Sequence, residues 1–386
     1  MAAIVGSDRP HIRHLTGLRA IAAFAVITVH YQEILYALAP ITRHATKLIN
    51  GGGLGVMVFF TLSGFIIAYT YLDRLHPFSW PEYGRFMWAR FARMYPIHLT
   101  VLLGILVLWL VAGRVGVTLP NPEYYRASSF AVNLALLQGA FPANPWNAPA
   151  WTLTYEMAAY IAFPLLAALL VRIRSVSQAY TGATIVALAG TGALIGAYSY
   201  TGNQNIGGPM FWIHVATEFA CGALMYVGWQ KAGFGVSIRW DVAGVIGAVA
   251  LAVVLWERGD SITLQLAVVP LAIFSVMAVA GSSGPLRGFL SSRPLEWLGR
   301  ISFSLYLLHV TCRSVLRQLI DPNDFVDSSL VVRLGVIILF FGASVVCGAL
   351  LYHLVEEPAR KWLRNWLARR TAAQAAPVDR EATAQR

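Results

Sequence analysis

The stretch that most constrains this chain is Leu15 to His30, which reads LTGLRAIAAFAVITVH. It is apolar and long enough to enter a bilayer, yet it carries an arginine near its start and a histidine at its end. Titratable groups within a membrane helix are costly and usually face a protein interior or a wet cavity, which makes them functional candidates. Arg19 and His30 stand eleven positions apart. Eleven steps of about 100° come to about 20° beyond three full turns, so the two side chains share a helix face. At 1.5 Å per residue they stand about 16 Å apart along the axis. One face therefore presents a permanent cation at one depth and a proton acceptor at another.

Composition puts that stretch in context. Of 386 residues, 57% are hydrophobic and only 12% charged, about half the charged fraction of a soluble domain, and the mean hydropathy is +0.61. Apolar runs of about 20 residues recur along the chain, the pattern of an all-α polytopic membrane protein. One integral membrane domain, 1–370, is expected, followed by a disordered cytoplasmic tail at 371–386 that is polar and rich in alanine. The net charge of +11 does not indicate nucleic acid, because the basic residues lie in short loops between apolar runs, where the positive-inside bias puts them. Cys221, Cys312 and Cys347 lie in apolar runs without a CxxC pair and read as small hydrophobes rather than a disulfide or metal framework.

Membrane helices are predicted at about 15–38, 54–72, 97–117, 150–172, 179–200, 208–229, 240–256, 263–281, 301–320 and 330–355. The segment 128–141 is apolar but short, with Pro142, Pro145 and Pro149 following it, and whether it crosses decides the topology of everything after it. If it does not cross, the clusters Arg172/Arg174, Lys231/Arg239, Arg287/Arg293/Arg300 and 360–370 all fall on the side of Arg9 and Arg13. The loops at 201–207 and 321–329, on the other side, hold no Lys or Arg. The positive-inside rule then favours about ten crossings with both termini cytoplasmic, and 128–149 as a re-entrant or surface element on the outer side. Segments 78–96 and 285–300 read as amphipathic helices on the cytoplasmic surface, against membrane lipids.

Several constellations could carry chemistry. Arg90 and Arg93, at i and i+3, share a helix face after the second crossing, where two guanidinium groups suit bidentate phosphate recognition. A basic loop that only sets topology is the plainer reading. Ser63-Gly64 permits close helix contact. Glu156, in WTLTYE after Trp151 and Tyr155, is expected at a depth similar to that of His30, where a carboxylate could orient the imidazole. ISFSLYLLH places Tyr306 and His309 on a late helix, His309 being most simply a packing histidine. His214 and Glu218 share a face at i and i+4, too few ligands to specify a metal. Glu356 and Glu357, before Pro358, are expected on the cytoplasmic side, paired with arginines there.

Together, TGLRA through His30, FFTLSGF, RFARMYP, WTLTYE and ISFSLYLLH with a terminal EEP resemble the acyltransferase-3 family, in the same order, from about residue 11 to 363. That resemblance implies a sugar O-acetyltransferase of the bacterial inner membrane. Its donor would be acetyl-CoA or another acyl-CoA, its acceptor a glycan or other hydroxyl compound, with no metal. By the same resemblance His30 is catalytic, and Arg19, Arg90 and Arg93 hold the acyl-CoA. Glu156 is assigned to support His30, and Arg19 is also a candidate for stabilising developing charge. Trp151, Tyr155, Tyr306 and His309 are candidates for the acceptor site. Thr16 stands where an Asp is common in the family, so no acid is assigned there. Two mechanisms stay open: His30 as a general base, or an acyl-His30 intermediate. The rival class is a transporter or flippase of a lipid-linked sugar, with buried titratable groups and no acyl chemistry.

Overall fold

In the computed structural model, residues 9–116, 122–140, 145–201, 209–257 and 268–375 are described. Among them the chain is helical, with short tight turns and no strand. In order, the helices are α1 (Arg13–His30), α2 (Gln32–Leu38), α3 (Thr46–Asn50), α4 (Leu54–Tyr71), α5 (Trp80–Arg114), α6 (Ala127–Leu134), α7 (Trp151–Leu170), α8 (Val176–Thr201), α9 (Pro209–Lys231), α10 (Ile238–Glu257), α11 (Val268–Gly281), α12 (Pro285–Leu290), α13 (Arg293–Leu319), α14 (Leu330–Leu351) and α15 (Glu357–Ala375). Seven helical stretches among the described residues are long and apolar enough to cross a membrane: α3 with α4, α5, α7, α8, α9, α10, and α14 continued into α15. The expected ten crossings need three more. One is α1 with α2, a pair bent by 67°. Another is α11, with 14 described residues. The last is α13, 27 residues long but studded with charge from Arg293 to Arg317. The loop at 201–207 lies outside the described residues beyond Thr201, as does the tail from 376 onward.

Three expectations change. The first crossing is not one helix over 15–38: it breaks at Tyr31, whose hydroxyl donates to the His309 carbonyl at 3.0 Å and also bonds Ser344 Oγ. Arg313 closes the end of α1 by donating to the His30 carbonyl, one of the carbonyls a helix C-terminus leaves without a partner. Secondly, 78–96 is not a separate surface helix, because α5 runs through Pro96 without a break. Proline removes one backbone donor, but Met94, Ile97, His98, Val101 and Leu102 carry one buried face across it. Thirdly, 285–300 divides into α12 and the first turns of α13, which continues into the predicted crossing at 301–320. At this end Arg13 Nε donates to Glu296 at 2.7 Å and holds that carboxyl below the usual carboxylate range. The reading of 128–149 as a non-crossing element does not change: its α-helix is α6, eight residues or about 12 Å. It cannot span a core of about 30 Å; residues 141–144 lie outside the described set.

The centre of the bundle is α1, packed between α4 and α13. A Cβ added at Gly299 of α13 would lie 1.8 Å from the Thr16 carbonyl oxygen, and one at Gly17 of α1 would lie 1.9 Å from the Leu290 oxygen. Only the missing side chains let these backbones meet. That contact fixes α1 against the start of α13 and sets which of their faces look into the space between α1, α4, α5, α7 and α13.

Candidate active site

That space is a cavity lined by Arg19 of α1, Phe59 and Ser63 of α4, Arg93 of α5, Thr152 and Glu156 of α7, and Ser302, Phe303 and Tyr306 of α13, among others. It encloses about 570 Å³ of atom-free space, part of it open to solvent. Two arginines and a carboxylate thus face one partly apolar chamber. No ion pair within 4.0 Å joins either guanidinium to a carboxylate among the described residues, and the Nε of Arg19 is buried without a hydrogen-bond partner. Buried charges are normally paired, so the cavity is built to receive an anion.

The carboxylate is tethered elsewhere. Thr152, Glu156 and Tyr160 recur every four residues on α7, one stripe of the helix. Tyr160 donates its hydroxyl proton to Glu156 and also meets Ser63 Oγ at 3.3 Å. Arg90 does not line the cavity with Arg93. It lies against the rings of Tyr71 at 5.0 Å and Tyr160 at 5.8 Å, with Nη2 donating to Tyr71 at 2.9 Å. The expected two-arginine clamp is therefore split: Arg93 reaches the cavity, and Arg90 braces the tyrosine that holds Glu156.

Trp151 and Tyr155 occupy the neighbouring stripe of α7 and turn away from the cavity. Their rings pack on Phe211 at 4.0 and 5.7 Å, and the Tyr155 hydroxyl donates to the Gly139 carbonyl at 2.7 Å. Nor does Glu156 meet His30. One residue of phase, about 100°, separates the stripe facing α9 from the one facing the cavity, and it puts Glu156 in the chamber with Arg19 of α1.

At the other end of α1, His30 meets His309, with ring centroids 5.0 Å apart. His309 is fully buried, and its Nδ1 lies 2.6 Å from the Tyr306 carbonyl. A carbonyl only accepts, so Nδ1 carries the proton and Nε2 holds a free lone pair. That Nε2 is buried without a partner. The ring of Tyr306, which lines the cavity, lies 5.9 Å from that of His309. Tyr306 and His309 thus bridge the arginine chamber and His30.

Sequence reasoning missed Glu356. It lies not at the surface but buried, on a π-helical turn over Tyr352–Glu356, where it accepts from Ser304 Oγ at 2.6 Å. Its neighbour Glu357 is the one that is partly exposed, and it pairs with Lys361 at 2.8 Å rather than with an arginine. The spacing from Pro358 gave no signal, because a π-turn shifts register by one residue. His214 and Glu218 pair with each other at 3.2 Å, and among the described residues no third His, Cys, Asp or Glu joins them.

An acyltransferase domain profile matches residues 12–353, most of the chain. This chain belongs to the acyltransferase-3 family. Its relatives include the acyltransferase MdmB of Streptomyces mycarofaciens, 26% identical over 380 residues that cover 90% of this chain and 92% of the relative. Nodulation protein 10 of Rhizobium leguminosarum bv. viciae is 25% identical, covering 93% and 96%. The O-acetyltransferase OatA of Staphylococcus aureus (strain NCTC 8325 / PS 47) is 22% identical, covering 90% of this chain and 58% of the relative. No solved structure matches the chain. As an acyltransferase-3 member the chain is a multi-pass helical membrane protein of transferase type.

Proposed function

We propose that the chain is a bacterial inner-membrane O-acyltransferase that moves an acetyl group from cytoplasmic acetyl-CoA to a hydroxyl of a glycan. Exopolysaccharide, O-antigen and lipid-linked sugars are the acceptor class. The observation that carries this reading is the cavity itself: two guanidinium groups without ion pairs among the described residues, joined through Tyr306 and His309 to the ring of His30. The name of its relative OatA supports O-acetyl transfer. In this reading Arg93 and Arg19 take the donor's phosphates, and Arg90 acts indirectly, through Tyr160. The pantetheine arm extends on the order of 15–20 Å, comparable with the rise from Arg19 to His30, so the thioester comes to His30. His30 takes the acceptor's hydroxyl proton, the oxygen attacks the thioester carbonyl, the C–S bond breaks, and the thiolate recovers the proton. The lone pair of His309 Nε2 receives a second acceptor hydroxyl, and Glu156 balances the charge of Arg19. Trp151 and Tyr155 shape the outer rim without lining the chamber.

Purified protein in vesicles, given acetyl-CoA and a pool of glycan acceptors, should release free thiol in proportion to acceptor modified. Movement of a lipid-linked sugar without thiol release would support a flippase and overturn the enzyme reading. Mass spectrometry of surface glycans from cells with and without the gene identifies acyl group and acceptor together.

A further inference from the structure

We infer that Ser304 is a positioning residue that holds Glu356 back from the cavity arginines and so keeps their anion site open. Glu356 is 2% exposed and Ser304 is fully buried. Arg93, Arg360 and Arg19 all act on Glu356 electrostatically, yet no ion pair within 4.0 Å joins it to any of them. In a low-dielectric interior a carboxylate under that attraction gains by closing on guanidinium groups. Two features oppose that collapse. Ser304 Oγ donates to Glu356 Oε2 at 2.6 Å, the length of a strong charge-assisted bond. The π-turn over Tyr352–Glu356 fixes the backbone from which the carboxylate hangs. Ser302 and Phe303 line the cavity immediately before Ser304, so the tether stands just behind the wall that Arg93 faces.

The arrangement is repeated across the chamber, where Tyr160 holds Glu156. Each carboxylate near the cavity arginines is bound by a hydroxyl instead of a guanidinium. The positive charge therefore stays available to a ligand carrying phosphates, and the carboxylates limit its strength so that product can leave. This inference rests on the reading that the chamber takes the anionic part of the donor.

The test measures affinity of the purified protein for coenzyme A and, separately, for inorganic pyrophosphate. Ser304→Ala frees Glu356 to close on Arg93 and should weaken both ligands about tenfold. Glu356→Gln removes the competing charge and should tighten both about threefold. The double variant should match Glu356→Gln, and Ser304→Thr, which keeps the hydroxyl, should match the wild type. A purely structural Ser304 would leave the double variant as weak as Ser304→Ala, and that result overturns the inference. Should Ser304→Ala not fold, Glu356→Gln decides alone: pyrophosphate affinity equal to or below wild type overturns it. Wild-type binding of pyrophosphate without coenzyme A removes the donor reading while the pyrophosphate arm still tests the tether. Binding of neither ligand by the wild type overturns both.

Discussion

The two ends of α1 are built on opposite plans. At its N-terminal end, the inner one in the proposed topology, Arg19 looks into a chamber where charges outnumber their partners: Arg19 Nε has none, and both nearby carboxylates are held by hydroxyls. At the C-terminal end, the outer one in that topology, nearly everything is pinned. Arg313 holds the His30 carbonyl, Tyr31 donates to the His309 carbonyl at 3.0 Å, and His309 Nδ1 donates to Tyr306 at 2.6 Å. Two buried polar atoms there lack partners, His309 Nε2 and Arg313 Nε. The contrast suits two tasks. An end where carboxylates are held away from the guanidinium groups suits a charged ligand, because the ligand supplies the missing partners. An end whose side chains are mostly pinned by backbone carbonyls suits orienting a reacting group, because side chains already ordered lose little freedom on reaction.

That contrast can be broken from either side. The largest effect expected at the inner end is on donor binding. Arg93→Ala with Arg19→Ala should weaken coenzyme A about a hundredfold, since loss of a charged partner for a buried phosphate costs about 2–5 kcal/mol. Isothermal titration of detergent-purified protein checks this, and turnover at saturating donor should fall far less than affinity. Next is the backbone contact that seats α1. Gly299→Ala drives a methyl into the Thr16 carbonyl at 1.8 Å, and overpacking of that kind costs about 1–3 kcal/mol. A thermal-unfolding scan should show the loss, with no comparable effect for Gly104→Ala, whose surroundings are open. Smaller again is Tyr160→Phe. It frees Glu156 to pair with Arg19, and coenzyme A affinity should drop about tenfold or less. The smallest effect belongs to Glu296→Gln at the surface. Arg13 lowers the Glu296 pKa, so the pair stabilises the fold near neutral pH and loses that contribution as pH falls through the lowered carboxyl range. A partly exposed pair contributes under about 1 kcal/mol, visible as a small drop in Tm at pH 7 that disappears in acid.

Much of this was legible before any coordinates. Hydropathy and loop charge marked a multi-pass helical protein, and the Arg19–His30 interval put both ends of α1 on the right element, because helical rise and phase carry over directly into α1. The α7 stripe was equally readable: Thr152, Glu156 and Tyr160 recur every four residues, and counting them would have separated Glu156 from Tyr155. Other features were not readable. Nothing local says that Pro96 lies inside a continuous helix, because that is decided by the packing on either side of it. The break at Tyr31 depends on partners some 280 and 310 residues away along the chain. Burial of Glu356 depends on a π-turn and on Ser304 of another helix. Long-range partners set these points, and hydropathy does not report them.

The central claim is that donor binding belongs to the inner end of α1 and chemistry to the outer end. His30→Ala tests it most directly, with acceptor-dependent thiol release and coenzyme A binding measured on the same purified sample. Thiol release should fall by about 10²–10⁴-fold, the usual contribution of a general base, while coenzyme A affinity stays within about twofold of wild type. Near-normal thiol release, or loss of coenzyme A binding together with turnover, would contradict it.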